Sequence, residues 1–98
     1  MKRSASAPRE AAEMLAIQAL GFIAEEPDRL AGFLNITGLT SERIREAAGQ
    51  PGFLAGVLDH MLSDENLLVA FAQSAGIDPA MVPQARMALG RRHERDMP

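Results

Sequence analysis

Few side chains in this chain could act as an acid, a base or a nucleophile. Its 98 residues include two histidines (His60 and His93), one lysine (Lys2) and no cysteine. General acid–base catalysis and nucleophilic attack need such groups, or paired carboxylates, held in a concave site. Lys2 and His93 lie in the polar ends, and His60 lies at the border of an apolar helical stripe, where a partly buried, hydrogen-bonded structural histidine is expected. We therefore predict no catalytic residue and no enzymatic activity.

The carboxylates Asp59, Asp64 and Glu65 cluster where two predicted helices meet. Carboxylate oxygens can bind a hard cation, but these three lack the twelve-residue spacing and central glycine of an EF-hand loop. Helix capping and solvation explain them better. Without cysteine, a disulfide, a thiolate-bound zinc site and an iron–sulfur site are excluded. We expect no metal, no cofactor and no small-molecule substrate.

The charge is distributed unevenly along the chain. Residues 1–9 carry a net charge of +3, residues 10–80 carry eleven acids and three bases, and residues 81–98 carry a net charge of +2. An acidic body repels phosphate backbones and disfavours nucleic-acid binding.

The basic start lacks the apolar run of a secretory signal, and no stretch approaches the length of a membrane span. We expect a cytoplasmic protein that does not bind membranes.

The composition favours helices, with 47% hydrophobic residues, four phenylalanines and neither tryptophan nor tyrosine. We predict an all-α, compact bundle of about six short helices. The helices are expected to begin near Pro8, at Pro27, after Thr40, near Phe53, after Ser63 and at Pro79, and to end near Ala24, Thr37, Gly49, Leu62, Ala75 and Leu89. Gly38 and Gly76 are predicted to end helices in the left-handed conformation. Pro83 predicts a kink or an initial 3₁₀ turn in the sixth helix.

We expect the chain to divide into a mobile N-terminal arm (1–7), a single helical domain (8–90) and a disordered basic tail (91–98). Within the domain, a shift of 38 residues superimposes the apolar positions of the first three helices on those of the last three. An internal duplication and a chance alignment of in-phase amphipathic helices both explain this match. In either case each three-helix half is too small to form a core alone, so we predict that the halves pack face to face.

Helix 1 has a second apolar face opposite its main stripe, formed by Met14, Ile17, Gly21 and Ala24. Either the core wraps the helix on both sides, or this face binds a protein partner or a second copy. The alternative function is nucleic-acid binding by a helix-turn-helix-like protein that uses its basic termini. Its recognition helix would present Ser41, Glu42, Arg43, Arg45 and Glu46, of which two are acids. We predict a non-enzymatic protein–protein interaction module.

Residues 10–89 resemble the "domain of unknown function 3572" family, small proteins known chiefly from alphaproteobacteria. The resemblance is carried by the segments 19–24 (ALGFIA, leading to Pro27), 30–34 (LAGFL), 37–39 (TGL), 53–58 (FLAGVL), 64–65 (DE) and 75–79 (AGIDP). It implies a helical fold and a cytoplasmic protein, and it supplies no activity, ligand or catalytic residue. Pro83 and the arginine-rich tail depart from the family's usual pattern.

Overall fold

The computed structural model describes residues 3–40, 42–50 and 52–90, with side chains from Pro8 onward. Its helices are α1 (Arg3–Ala24), α2 (Pro27–Thr37), α3 (Ile44–Ala48), α4 (Phe53–Leu62), α5 (Glu65–Ala75) and α6 (Met81–Leu89). The described ranges contain no β-strand. The predicted all-α bundle is confirmed. The predictions for Lys2, Ser41, His93 and the basic tail 91–98 lie outside the described residues.

Proline and glycine set the helix ends where the sequence predicts them. Pro27 opens α2, and Gly38 follows it with a φ of 76°. Gly76 follows α5 with a φ of 71°. Glycine adopts this left-handed conformation without the steric penalty of a Cβ atom. Both predicted glycine caps are therefore confirmed.

The predicted start of the first helix near Pro8 is wrong, because α1 begins at Arg3 and contains Pro8. A proline in the second turn removes one amide donor, and the preceding Arg3, Ala5 and Ala7 are good helix formers. The helix therefore continues through the proline towards the N-terminus. The mobility of the segment 1–7 stays a prediction.

Three other helix starts differ from the predictions by a few residues. Thr40 Oγ1 accepts a hydrogen bond from the Arg43 amide at 3.3 Å, so Thr40 closes a turn ahead of α3 rather than opening the helix itself. The N-cap of α5 is Asp64, whose Oδ1 accepts from the Leu67 amide at 3.2 Å, and not Ser63, whose hydroxyl donates to the His60 carbonyl at the end of α4. Asp and Ser cap equally well, and a carboxylate gains from the helix dipole.

The sixth helix begins at Met81 instead of Pro79. Asp78 Oδ1 accepts a hydrogen bond from the Ala80 amide, and the Met81 and Val82 amides donate to carbonyls three residues earlier. This is the expected initial 3₁₀-type turn. Pro83 is consequently the third residue of α6, where an amide has no acceptor within the helix, so it removes no helical hydrogen bond.

The core lies where α1 and α4 pack against each other and against α6, while α2 packs on α1, and α3 and α5 pack on α4. The largest fully buried side chains come from both halves of the chain: Ile23, Phe33, Val57, Leu58, Met61, Phe71 and Val82. Ala16 and Ala19 are also fully buried. These small residues allow other side chains to approach the α1 backbone closely.

The two halves are related by the 38-residue shift in their contacts as well as in their sequence. Phe22 of α1 lies 5.6 Å from Phe71 of α5, and His60 of α4 lies 5.2 Å from Phe33 of α2, measured between ring centroids. Adding 38 to Phe22 and Phe33 gives His60 and Phe71. The α1–α2 contact likewise corresponds to the α4–α5 contact, whereas α6 packs on both α1 and α4 and α3 packs mainly on α4, so the third helices of the halves are not equivalent. The halves pack into one bundle with pseudo-twofold character.

Candidate interaction surface on helix α1

The second apolar face of α1 is open to solvent. Met14 is 65% exposed and Ile17 is 57% exposed, and Gly21 and Ala24 are exposed as well. The opposite face of the same helix supplies the buried residues Ala12, Leu15, Ala16, Ala19 and Ile23. The alternative in which the core wraps both sides of helix 1 is therefore wrong, because α2, α4 and α6 all lie on the other side.

These four residues form a continuous line, which we call the α1 seam. Their separations of three, four and three residues are those of the a and d positions of a coiled-coil heptad, so they lie along one edge of the helix. A Cβ atom added to Gly21 would have no heavy atom within 4 Å. Met14 and Ile17 supply apolar contact area, while Gly21 and Ala24 would let another backbone approach closely.

Acidic side chains lie at both ends of the α1 seam. Glu10 precedes Met14 by one turn, Glu25 follows Ala24 directly, and both are exposed. The two neighbouring arginines contact other groups. Arg9 donates to the Leu89 carbonyl at 3.0 Å and pairs with Glu13 at 3.5 Å, and Arg29 lies over the Phe22 ring and donates to the Phe22 carbonyl at 2.8 Å. The seam therefore has an apolar centre and negative ends.

His60 is half-buried on α4, with its ring edge-on to Phe33 at 5.2 Å. Its Nδ1 atom is buried, and no described residue forms a hydrogen bond with it. The prediction of a partly buried histidine is confirmed, but the predicted hydrogen bond is wrong for Nδ1. Burial lowers the pKa of His60 from its ordinary value of 6.5, and the carboxylate of Asp64 opposes part of this shift. The ring packs against Phe33 and its buried nitrogen has no described partner, which is the environment of a neutral packing residue.

The lowered pKa predicts how stability depends on pH. Above about pH 6.5 the histidine is neutral in both states, and its neutral form is compatible with burial. As the pH falls, the unfolded chain binds a proton first, so the free energy of unfolding falls until folded His60 also becomes protonated. Phenylalanine occupies the equivalent position 22 in the first half, so His60→Phe is a suitable replacement. We expect the free energy of unfolding of this variant to fall less steeply between pH 7 and pH 5 than that of the original protein. Urea unfolding followed by circular dichroism measures both pH dependences, and equal slopes would contradict the lowered pKa of His60.

The carboxylates Asp59, Asp64 and Glu65 take different structural roles. Asp59 Oδ1 accepts from Arg86 Nε at 2.7 Å, joining α4 to α6. Asp64 caps α5, and Glu65 begins that helix. Within the described ranges, no group of three or more His, Asp and Glu side chains is arranged to hold a metal ion. The sequence alone does not predict the Asp59–Arg86 pair, because 27 residues separate its members.

The corner between α2 and α3 provides a poor DNA-reading element. The helix that would enter the groove has five residues, and none of them is buried. Arg43 faces Glu46 at 3.9 Å, an exposed pair that halves the positive charge available to phosphates. The tight turn at Gly38 therefore serves as a structural corner between two helices.

Two of the grooves formed by described residues are of interest, and neither of these is lined by a titratable side chain. The larger, about 420 Å³, lies between α2, α3 and α4, and its polar side chains are those of Thr37 and Gln50. The Thr37 hydroxyl already donates to the Phe33 carbonyl at 2.7 Å. The smaller, about 210 Å³, separates α1 from α6 and is lined mainly by alanines, Leu15 and Met81. Neither groove contains a general acid, a general base or a nucleophile.

No described helix is both long and apolar enough to cross a bilayer. Residues 9–92 match the family model described as "Protein of unknown function (DUF3572)". No curated protein and no solved structure matches the chain. The match covers all the helices except the first turns of α1, and it includes the whole α1 seam.

Proposed function

We propose that this chain, which belongs to the DUF3572 family of proteins of unknown function, is a non-enzymatic cytoplasmic protein that binds another protein chain through the α1 seam. The observation that carries the proposal is the exposure of Met14 and Ile17 on a heptad-spaced edge whose opposite face forms the core. Single exposed apolar residues are common on protein surfaces, but an aligned row with small residues at one end is typical of a helix–helix contact.

The rest of the surface supports binding rather than catalysis. Apart from His60, which packs against Phe33, the titratable groups of the described helices serve as caps, ion pairs or solvated side chains, and the grooves beside α3 and α6 have uncharged linings. A binding protein needs no perturbed acid–base pair, whereas an enzyme that uses general acid–base chemistry does. The nucleic-acid alternative gains no specific support, because the acidic ends of the seam and the mixed charges of α3 repel or dilute contacts with phosphates.

Site-specific photo-crosslinking in the native host tests this function. A photoreactive amino acid at position 17 should produce a discrete adduct with a protein partner or a second copy. The matched control carries the same group at Ile36, which is 73% exposed on α2 and should give no discrete adduct. Adducts at both positions, or at neither, would contradict a dedicated contact surface on α1.

The double variant Met14→Glu/Ile17→Glu should lose the adduct while keeping its fold. With the photoreactive group moved to the neighbouring Gln18, we expect at least a tenfold reduction in adduct yield, because the few hot-spot residues at the centre of an interface cost about 2 kcal/mol or more when they are lost. The free energy of unfolding should change by no more than about 0.5 kcal/mol, since both side chains are exposed. Light scattering over a concentration series shows whether the partner that this variant no longer binds is a second copy of the chain. An unchanged adduct yield would show that the seam is not part of the interface.

A further inference from the structure

Resting on the proposed function, we infer that the occupant of the α1 seam is a basic amphipathic helix of a different protein, with an apolar stripe flanked by Lys or Arg at both ends. The inference comes from the charges that border the seam. Glu10 and Glu25 are exposed at its two ends, about 22 Å apart along the helix axis. Neither forms an ion pair with a described residue.

The C-terminal end of the seam carries an exposed carboxylate, that of Glu25. The last turn of α1 contains no basic residue, and Glu25 and Glu26 directly follow the helix. The helix dipole of α1 places partial negative charge on its last carbonyls, and the Glu25 carboxylate adds to it, whereas Glu26 is the N-cap residue of α2, whose dipole favours a carboxylate. Arg29 lies over the Phe22 ring and donates to the Phe22 carbonyl in the last turn of α1, so it offsets part of the dipole there but forms no ion pair with Glu25. A cationic side chain of a partner would pair with the Glu25 carboxylate.

A second copy of this chain fits the seam poorly for the same reason. An antiparallel pair of α1 helices centred on the seam places Glu13 of one copy beside Glu25 of the other, and a parallel pair places each glutamate beside its own counterpart. Like charges at such positions oppose association. The acidic stretch 10–80, with eleven acids and three bases, adds repulsion between the helical bodies of two copies. A basic partner reverses each of these effects.

The apolar centre restricts the partner further. Met14 and Ile17 require apolar side chains opposite them, spaced three and four residues apart on a helix. Gly21 has open space around its Cα, so a large apolar side chain of the partner can lie against the α1 backbone there. Basic residues alone, without an apolar stripe, would leave Met14 and Ile17 exposed.

Titration of the ¹⁵N-labelled full chain with three synthetic peptides of about 16 residues tests the inference by NMR. The first has leucines at the heptad spacing and lysines at both ends. The second replaces the lysines with glutamates, and the third keeps the composition of the first but scrambles the leucines. We expect the first peptide to shift the amide signals of α1 and to bind about tenfold more tightly than either of the others, as two favourable surface charge pairs and an aligned apolar stripe allow.

Two variants of the protein separate the contribution of the terminal charges from that of the apolar centre. In Glu10→Lys/Glu25→Lys the preference should invert, so that the glutamate peptide binds more tightly. In Ile17→Glu the lysine peptide should lose its tight binding, whereas Ile36→Glu, the matched control on α2, should leave it unchanged. The inference would be overturned if the lysine peptide bound no more tightly than the glutamate peptide or the scrambled peptide. Dimerisation of the free chain through the seam would overturn it as well. Failure of the proposed function is seen separately, as an absence of any adduct at position 17 in the native host.

Discussion

Replacing Phe33 with alanine should lower the free energy of unfolding by about 3–5 kcal/mol. The Phe33 ring is almost completely buried and contacts the rings of Phe53 and His60 on α4. Its removal therefore leaves a cavity between the two halves of the bundle. Because small domains have a total stability of about 5–15 kcal/mol, the variant should be partly unfolded at moderate temperature. Urea unfolding followed by far-ultraviolet circular dichroism measures the change in a chain without tryptophan or tyrosine.

The equivalent substitution Phe71→Ala should have an effect of similar size, since Phe71 packs on Phe22 in the other half of the pseudo-twofold arrangement. Ile36→Ala serves as the control on the same helix as Phe33, and its side chain is exposed, so we expect a change within about 0.5 kcal/mol. A cost near 1 kcal/mol for either phenylalanine would contradict a shared core that depends on both halves.

Ala19→Leu should destabilise the protein by about 1–3 kcal/mol, because it overfills the core instead of leaving a cavity in it. Ala19 is fully buried on the inner face of α1, which packs on α4 and α6. A leucine there has no room unless the helices move apart or neighbouring side chains leave their preferred rotamers. The same substitution at Ala24, on the exposed edge of the same helix, should cost less than about 0.5 kcal/mol. Equal costs at positions 19 and 24, measured by urea unfolding, would mean that α1 is oriented differently.

The helical architecture could be predicted from the sequence because its signals are local. Pro27, Gly38 and Gly76 act on the backbone at their own positions, and an apolar stripe identifies a buried helix face without knowledge of its neighbours. The exact helix starts were harder to predict. Ser63 and Asp64 can both cap a helix, and which of them does so depends on where α4 ends.

The features of the candidate site depended on tertiary packing and could be predicted only in part. The sequence identified Met14, Ile17, Gly21 and Ala24 as an apolar face, but the arrangement of α2, α4 and α6 decides whether that face is covered. His60 was correctly placed at the edge of a stripe, yet its neighbour Phe33 is 27 residues away in sequence, so the missing hydrogen bond at Nδ1 could not be foreseen. The Asp59–Arg86 pair is non-local in the same way.

The physical link between the fold and the proposed function is the division of α1 into two apolar faces. Its inner face provides alanines and Ile23 to a core that neither half could form alone, and this packing holds the outer face in a fixed, solvent-exposed position. A rigid helix presents its edge to a partner with little loss of conformational entropy on binding. The domain can therefore act as a scaffold that displays one helix edge.

Methionine oxidation by hydrogen peroxide tests this account most directly, because methionines lie both in the α1 seam and in the shared core. Met14 lies in the α1 seam, Met87 is exposed on α6, and Met61 is fully buried between the halves. Under native conditions we predict that mass spectrometry of the free protein will show rapid oxidation of Met14 and Met87, and protection of Met61 until the protein unfolds. Oxidation of Met61 as fast as Met14 would show that the halves do not share a core, and protection of Met14 would show that the seam is covered in the free protein.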